Sequence, residues 1–183
     1  MKYFLGFLAS IGLIVLTVIL IVRGFSGHAP KNVPAPLLDY ANTSVEMQYT
    51  IDGPINADQA HKALRVTIGQ DSTKIEELTG YSQTVADGKM YENNQDSYAA
   101  FLRALDIAGY TKGNTASDQK DERGYCPAGY RYSFDIVDGG DVKQHFWSTS
   151  CGQGTFKGKT TQVINLFQQQ IPDYGTGNFT INS

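Results

Sequence analysis

Two cysteines, one tryptophan and three histidines are all that 183 residues offer for redox, metal and imidazole chemistry. Cys126 and Cys151 are too far apart for a redox CxxC pair. His28, His61 and His145 show no spacing of a zinc helix, so neither metal hydrolysis nor a bound metal is expected. The chain also lacks a Gly-x-Ser-x-Gly elbow, which leaves His145, Ser148 and Ser150 without the frame of a serine hydrolase and makes His145 a solvent-facing strand residue. Glu76 and Glu77 are adjacent and on a strand would face opposite sides, so they form no catalytic carboxylate pair. A basic excess is missing as well. The chain carries 15 Lys and Arg against 18 Asp and Glu, and without Lys2 and Arg23 only 13 basic groups remain against all 18 acidic ones. Such a balance provides no phosphate-binding stripe and argues against nucleic acid as a partner.

Acidic residues are also absent before Asp39, and this absence frames the longest hydrophobic run. Phe4 to Val22 contains no charge; as a helix it would span about 28 Å, the thickness of a bilayer core. The rival is a cleaved secretory signal, but the apolar region is too long and no good small-x-small site follows it. Residues 1–23 are therefore expected to be an uncleaved transmembrane anchor. Lys2 nearly balances Arg23 and Lys31, so charge alone does not orient the helix. The short amino-terminal flank and the placement of both cysteines after the run favour a cytoplasmic amino terminus and an extracytoplasmic domain. Pro30, Pro34 and Pro36 then mark residues 24–42 as an extended linker.

Residues 43–174 carry the pattern of one small domain, with 175–183 as an irregular tail. Val45, Met47, Tyr49 and Ile51 alternate with polar neighbours, as do Leu64, Val66 and Ile68, which predicts two half-buried strands. Lys74 to Leu78 and, more weakly, Ser82 to Tyr91 add two more. Asn94 or Asp96 caps a helix built on Tyr98, Phe101, Leu102 and Leu105, and Gly109 ends it. Tyr130, Tyr132, Phe134 and Ile136 line a strand, Asp138-Gly139-Gly140 turns, and Val142, Gln144 and Phe146 return. Turn formation accounts for Asp138 and Asp141 without a cation, although Asp135 shares their spacing. Val163, Leu166, Phe167 and Ile171 predict a last helix from about Thr160 to Pro172. The expected class is α+β: a transmembrane helix, then a small antiparallel sheet with about two helices on one face.

Cys126 precedes the hairpin and Cys151 follows it, so the ends of neighbouring strands bring them together as a disulfide. The segment Gly154-Thr155-Phe156-Lys157-Gly158-Lys159-Thr160 imitates a P-loop, but only three residues separate Gly154 from Gly158, where phosphate wrapping needs four. No catalytic constellation and no cofactor site emerge. Tyr130, Tyr132 and Trp147, with Tyr125 and Tyr174 nearby, offer rigid amphipathic area for a protein or glycan at the cell surface.

With these segments in place, the stretch from about Ala63 to Tyr174, including Phe101 to Tyr110 and Tyr130-Arg131-Tyr132-Ser133-Phe134-Asp135-Ile136, resembles emfourin-type protease inhibitors in the order of its elements. The anchor and the cysteine pair depart from that family. The resemblance implies an inhibitor or regulator of an envelope peptidase. The ending Ser150-Cys151-Gly152 with Leu166-Phe167 and Gln170-Ile171-Pro172-Asp173-Tyr174 is similar to membrane-anchored proteins of candidate-phylum bacteria such as Saccharibacteria, a likeness that brings no activity with it. The sequence thus points to a membrane-anchored binding module, with an envelope hydrolase as the residual reading.

Overall fold

The computed structural model describes residues 36–115, 121–172 and 174. The chain divides between Pro34 and Ala35, and every described residue belongs to the second part. Among the described residues no helix is long and apolar enough to cross a membrane; the expected anchor, Phe4 to Val22, lies outside them.

The period-two alternations become strands β1 (Val45–Asp52) and β2 (Lys62–Ile68), followed by β3 (Ser72–Thr79) and β4 (Thr84–Glu92). Helix α1 (Gln95–Ala108) comes next, then the hairpin of β5 (Arg131–Asp138) and β6 (Asp141–Thr149), and finally α2 (Thr160–Gln168). All neighbours are antiparallel, in the order β4-β3-β2-β1-β5-β6. The α+β expectation, with helices and one disulfide, holds for this domain. The hairpin turns through Gly139 and Gly140 at φ +58° and +91°, the left-handed pair required by a two-residue turn that matches strand twist.

Helix α1 starts where the Asn94 side chain accepts a hydrogen bond from Ser97 N at 3.0 Å. It stops at Gly109, where Gly109 N and Tyr110 N donate back to Asp106 O and Leu105 O, the paired bonds of a Schellman ending. Its buried stripe, Tyr98, Phe101, Leu102 and Leu105, meets Tyr49, Val66, Ile75 and Phe134 from the sheet. Phe167 of α2 completes this core, its ring centroid 5.6 Å from Tyr49, 5.2 Å from Phe101 and 5.9 Å from Tyr110. Tyrosine hydroxyls buried here need acceptors. Tyr98 donates to Val45 O at 2.6 Å, and Tyr110 lies 2.9 Å from Gln48 O and 2.8 Å from Asp135 O. Burial pushes both phenols well above their ordinary range.

One boundary differs from expectation. Residues assigned to the linker fold instead: Leu37–Asn42 forms a 3-10 turn packed against α1, with Leu37 and Ala41 buried. Removing a leucine side chain from water is worth roughly 2 kcal/mol, enough to hold one short turn that hydrogen bonding alone would not hold.

Candidate functional site

The end of the sheet that carries the disulfide gathers most of the residues singled out from sequence. Cys126 and Cys151 are bonded, with Cα atoms 5.8 Å apart and a sequence separation of 25. Closing such a loop stabilises the fold by roughly 3 kcal/mol in the chain-entropy account. Beside the disulfide, Tyr130 N donates to Ser150 Oγ at 3.0 Å, which commits that hydroxyl to holding the loop.

Residues 121–130 fold back over the sheet face opposite the helices. Tyr125 lays its ring 4.8 Å from that of Trp147, and Glu122 Oε2 lies 3.0 Å from His145 Nε2. On the other side of the imidazole, His145 Nδ1 meets Asp135 Oδ1 at 2.5 Å, and Ser133 Oγ donates to Asp135 Oδ2 at 3.0 Å. Two expectations change here. Trp147 is only 2% exposed because the Tyr125 loop covers it, so its indole is a packing element and offers no contact surface. His145 is half-buried and clasped between two carboxylates, where the sequence suggested a solvent-facing residue. Asp135 serves this clasp, while Asp138 sits at the turn, accepting from Ser44 Oγ at 3.2 Å.

The hydrogen bonds to Asp135 and Glu122 push the His145 imidazole up to about 10. Burial alone would raise the Glu122 carboxyl, but its hydrogen bond with His145 and its backbone contact hold it below the ordinary range. The imidazolium therefore steadies the fold fully below its unfolded value of about 6.5, and this contribution is lost as pH rises toward 10. Urea unfolding of the wild type should show a steeper loss of stability between pH 7 and 10 than His145→Gln. Parallel pH profiles for the two proteins would mean that the clasp does not hold the proton.

A second buried group ties β1 to β5. Arg131 donates to Asp52 Oδ2 from Nη2 at 2.8 Å and from Nε at 3.1 Å, and from Nη2 to Gly53 O at 2.7 Å. His61 Nε2 lies 2.6 Å from Asp52 Oδ1, its ring stacked 4.0 Å from Tyr81. Sequence reading missed this group, because Asp52 faces Arg131 only through the β1/β5 register, 79 positions apart. Both described imidazoles thus have each ring nitrogen opposite a protein oxygen, His61 Nδ1 facing Pro54 O at 3.3 Å. A general base needs a free nitrogen, and neither ring presents one. Ser148 lies on the opposite sheet face from His145, three positions along the same strand. Among the described residues no group of three His, Cys, Asp or Glu side chains is placed to hold a metal ion.

The glycine-rich segment before α2 spends its amides on the protein. Phe156 N donates to Trp147 O, Lys157 N to Lys112 O and Lys159 N to Ala108 O, each at 2.9 Å. Gly154 approaches the Trp147 carbonyl so closely that a Cβ would lie 2.3 Å from it, which explains glycine there as a packing requirement.

No family model matches this chain, nor does any curated protein.

What is left with open chemistry is a cluster of tyrosines on the helix side of the same sheet end. Tyr132 pairs across from Ile51 and Ser148, and Tyr130 lies two positions before it on the same side. Tyr174 receives a hydrogen bond from Gln168 Nε2 at 2.9 Å and packs on the core beside them. Burial raises the Tyr132 phenol, with the nearby Tyr130 adding to the effect; burial also raises Tyr174. The buried Tyr49 phenol is pushed up by burial and then by Tyr174 and Tyr132, which places those two phenols near it. Tyr130, Tyr132 and Tyr174 each keep part of their surface in water.

Proposed function

We propose that this protein is a membrane-anchored binding module whose extracytoplasmic domain contacts its partner through Tyr130, Tyr132 and Tyr174. The observation that carries this reading is the group of half-exposed tyrosines at one end of the sheet: Tyr132 and Tyr174 pack on the core, and Tyr130 is tied by its backbone to Ser150 beside the disulfide. Its rings are fixed by packing, so little side-chain entropy is lost on binding, while their hydroxyls remain able to bond a protein backbone or a sugar. The uncharged Phe4 to Val22 run supports the anchor, and the proline-rich stretch after it supports display away from the bilayer. Trp147, first considered a contact residue, supports the platform from the other face.

A photo-crosslinking side chain placed at Tyr130 in the full-length protein should capture a stoichiometric partner in its native cells. Tyr132→Ala combined with Tyr174→Ala should reduce that capture about tenfold or more, as loss of central aromatic contacts does. A peptidase among the captured proteins would make the module its regulator, in keeping with the emfourin-like order of elements. Undiminished capture by the double variant, with its fold intact by circular dichroism, would rule out this surface.

A further inference from the structure

The two cysteines of the disulfide meet solvent unequally. Cys151 is exposed, whereas Cys126 is 5% exposed and lies over Gly129, where an added Cβ would come within 2.5 Å of its sulfur. A thiolate arriving from solvent therefore meets Cys151 first, and the sulfur left to depart is that of Cys126. The departing sulfur has a donor in place. Ser150 Oγ lies 3.5 Å from Cys126 Sγ. A disulfide sulfur carries no hydrogen, so the hydroxyl donates to it, while the hydroxyl oxygen accepts from Tyr130 N.

Cys126 also occupies the left-handed region, at φ +48°, which residues with a side chain seldom adopt. Its carbonyl accepts from Gly129 N, and the residue before it, Tyr125, covers Trp147. The other fastenings of the 121–130 segment include the bond of Glu122 with His145 and that of Ile55 N with Pro127 O at 2.8 Å. The disulfide is thus the one covalent tie of the segment to the end of β6, and it sits next to the ring that hides the indole.

We infer that Cys126–Cys151 is an exchangeable disulfide: an external dithiol attacks Cys151, Cys126 departs, and the freed 121–130 segment lifts from Trp147. The attacking thiolate forms a mixed disulfide with Cys151 as the Cys126–Cys151 bond breaks. The electron pair of that bond stays on Cys126 Sγ, where the Ser150 hydroxyl stabilises it. The second thiol of the reductant then displaces Cys151. The reductant becomes a cyclic disulfide, and its electrons and thiol protons end on Cys126 and Cys151, the protons by way of water. Once released, Cys126 can leave the left-handed region, and Tyr125 moves with it. The inference is independent of what Tyr130, Tyr132 and Tyr174 contact.

Glutathione added to the folded full-length protein in detergent, quenched with acid and mapped by mass spectrometry, should be found on Cys151. Adducts on Cys126 would overturn the order of exchange. Ser150→Ala should slow reduction by dithiothreitol about threefold or more, because a less stabilised thiolate departs more slowly. An unchanged or faster rate would overturn that role, since a hydroxyl that only held the loop would on removal loosen it. Trp147 is the chain's one tryptophan and reports on its cover directly. Reduction should raise its quenching by acrylamide about twofold or more, with far-ultraviolet circular dichroism unchanged, as a local opening requires. Unchanged quenching, a disulfide that opens only in urea, or loss of the whole fold on reduction would overturn the inference.

Discussion

Arg131→Ala should lower the stability of the domain by about 3 kcal/mol, which urea unfolding with intact slope would report. The guanidinium is 3% exposed and makes its bonds to Asp52 and to Gly53 O without solvent in competition. Its removal strands the Asp52 carboxylate with His61 alone and frees the strand that leads into the hairpin. Because Asp52 keeps 22% of its side chain in water, the cost belongs at the lower end of the 3–5 kcal/mol seen for broken buried pairs. Replacing both members, as Arg131→Met with Asp52→Leu, leaves no stranded charge and should be less damaging than the single change. A double variant worse than either single would show that the pair acts through packing of its stems, with its charges playing little part.

Phe167→Ala is the other large effect, at about 3–5 kcal/mol. The ring is fully buried and joins Tyr49 of the sheet to Phe101 and Tyr110 of the α1 region, so no single neighbour can move in to fill the space. Its position in the last helix gives the variant a second signature. The α2 segment and Tyr174 should lose hydrogen-exchange protection ahead of the β5/β6 hairpin. Uniform loss across the domain would instead mean that α2 has no separate opening.

Elements with a strong period were legible before the structure. Val45, Met47 and Tyr49 alternate because one face of β1 is packed beneath helices, and the Gly139-Gly140 turn follows from chemistry that needs no tertiary context. Helix α1 announces both of its ends. β4 was faint for a physical reason: an edge strand exposed on both sides has no burial pattern to write, and only pairing with β3 makes it a strand. Leu37 was hidden by the prolines around it, since one buried anchor has no period. The site was harder still. Parity on β6 could separate Trp147 from Phe146, but nothing periodic in residues 121–130 foretold that Tyr125 and Glu122 would fold over Trp147 and His145. The disulfide was readable because both cysteines bracket a hairpin that the sequence itself defines.

The position of β1 between β2 and β5 also bears on how the chain reaches this state. β1 meets β2 across a short connection, but its other edge waits for Arg131–Asp138, up to 93 residues later in the chain. Short-range closure is entropically easier, so the meander of β1 to β4 can assemble first, with the β5/β6 hairpin forming separately and docking afterwards. During that interval β1 is itself an unpaired edge that carries Met47 and Tyr49, and it is the surface a chaperone would have to shield. An edge that is central in the finished sheet is thus the most vulnerable part of the nascent one.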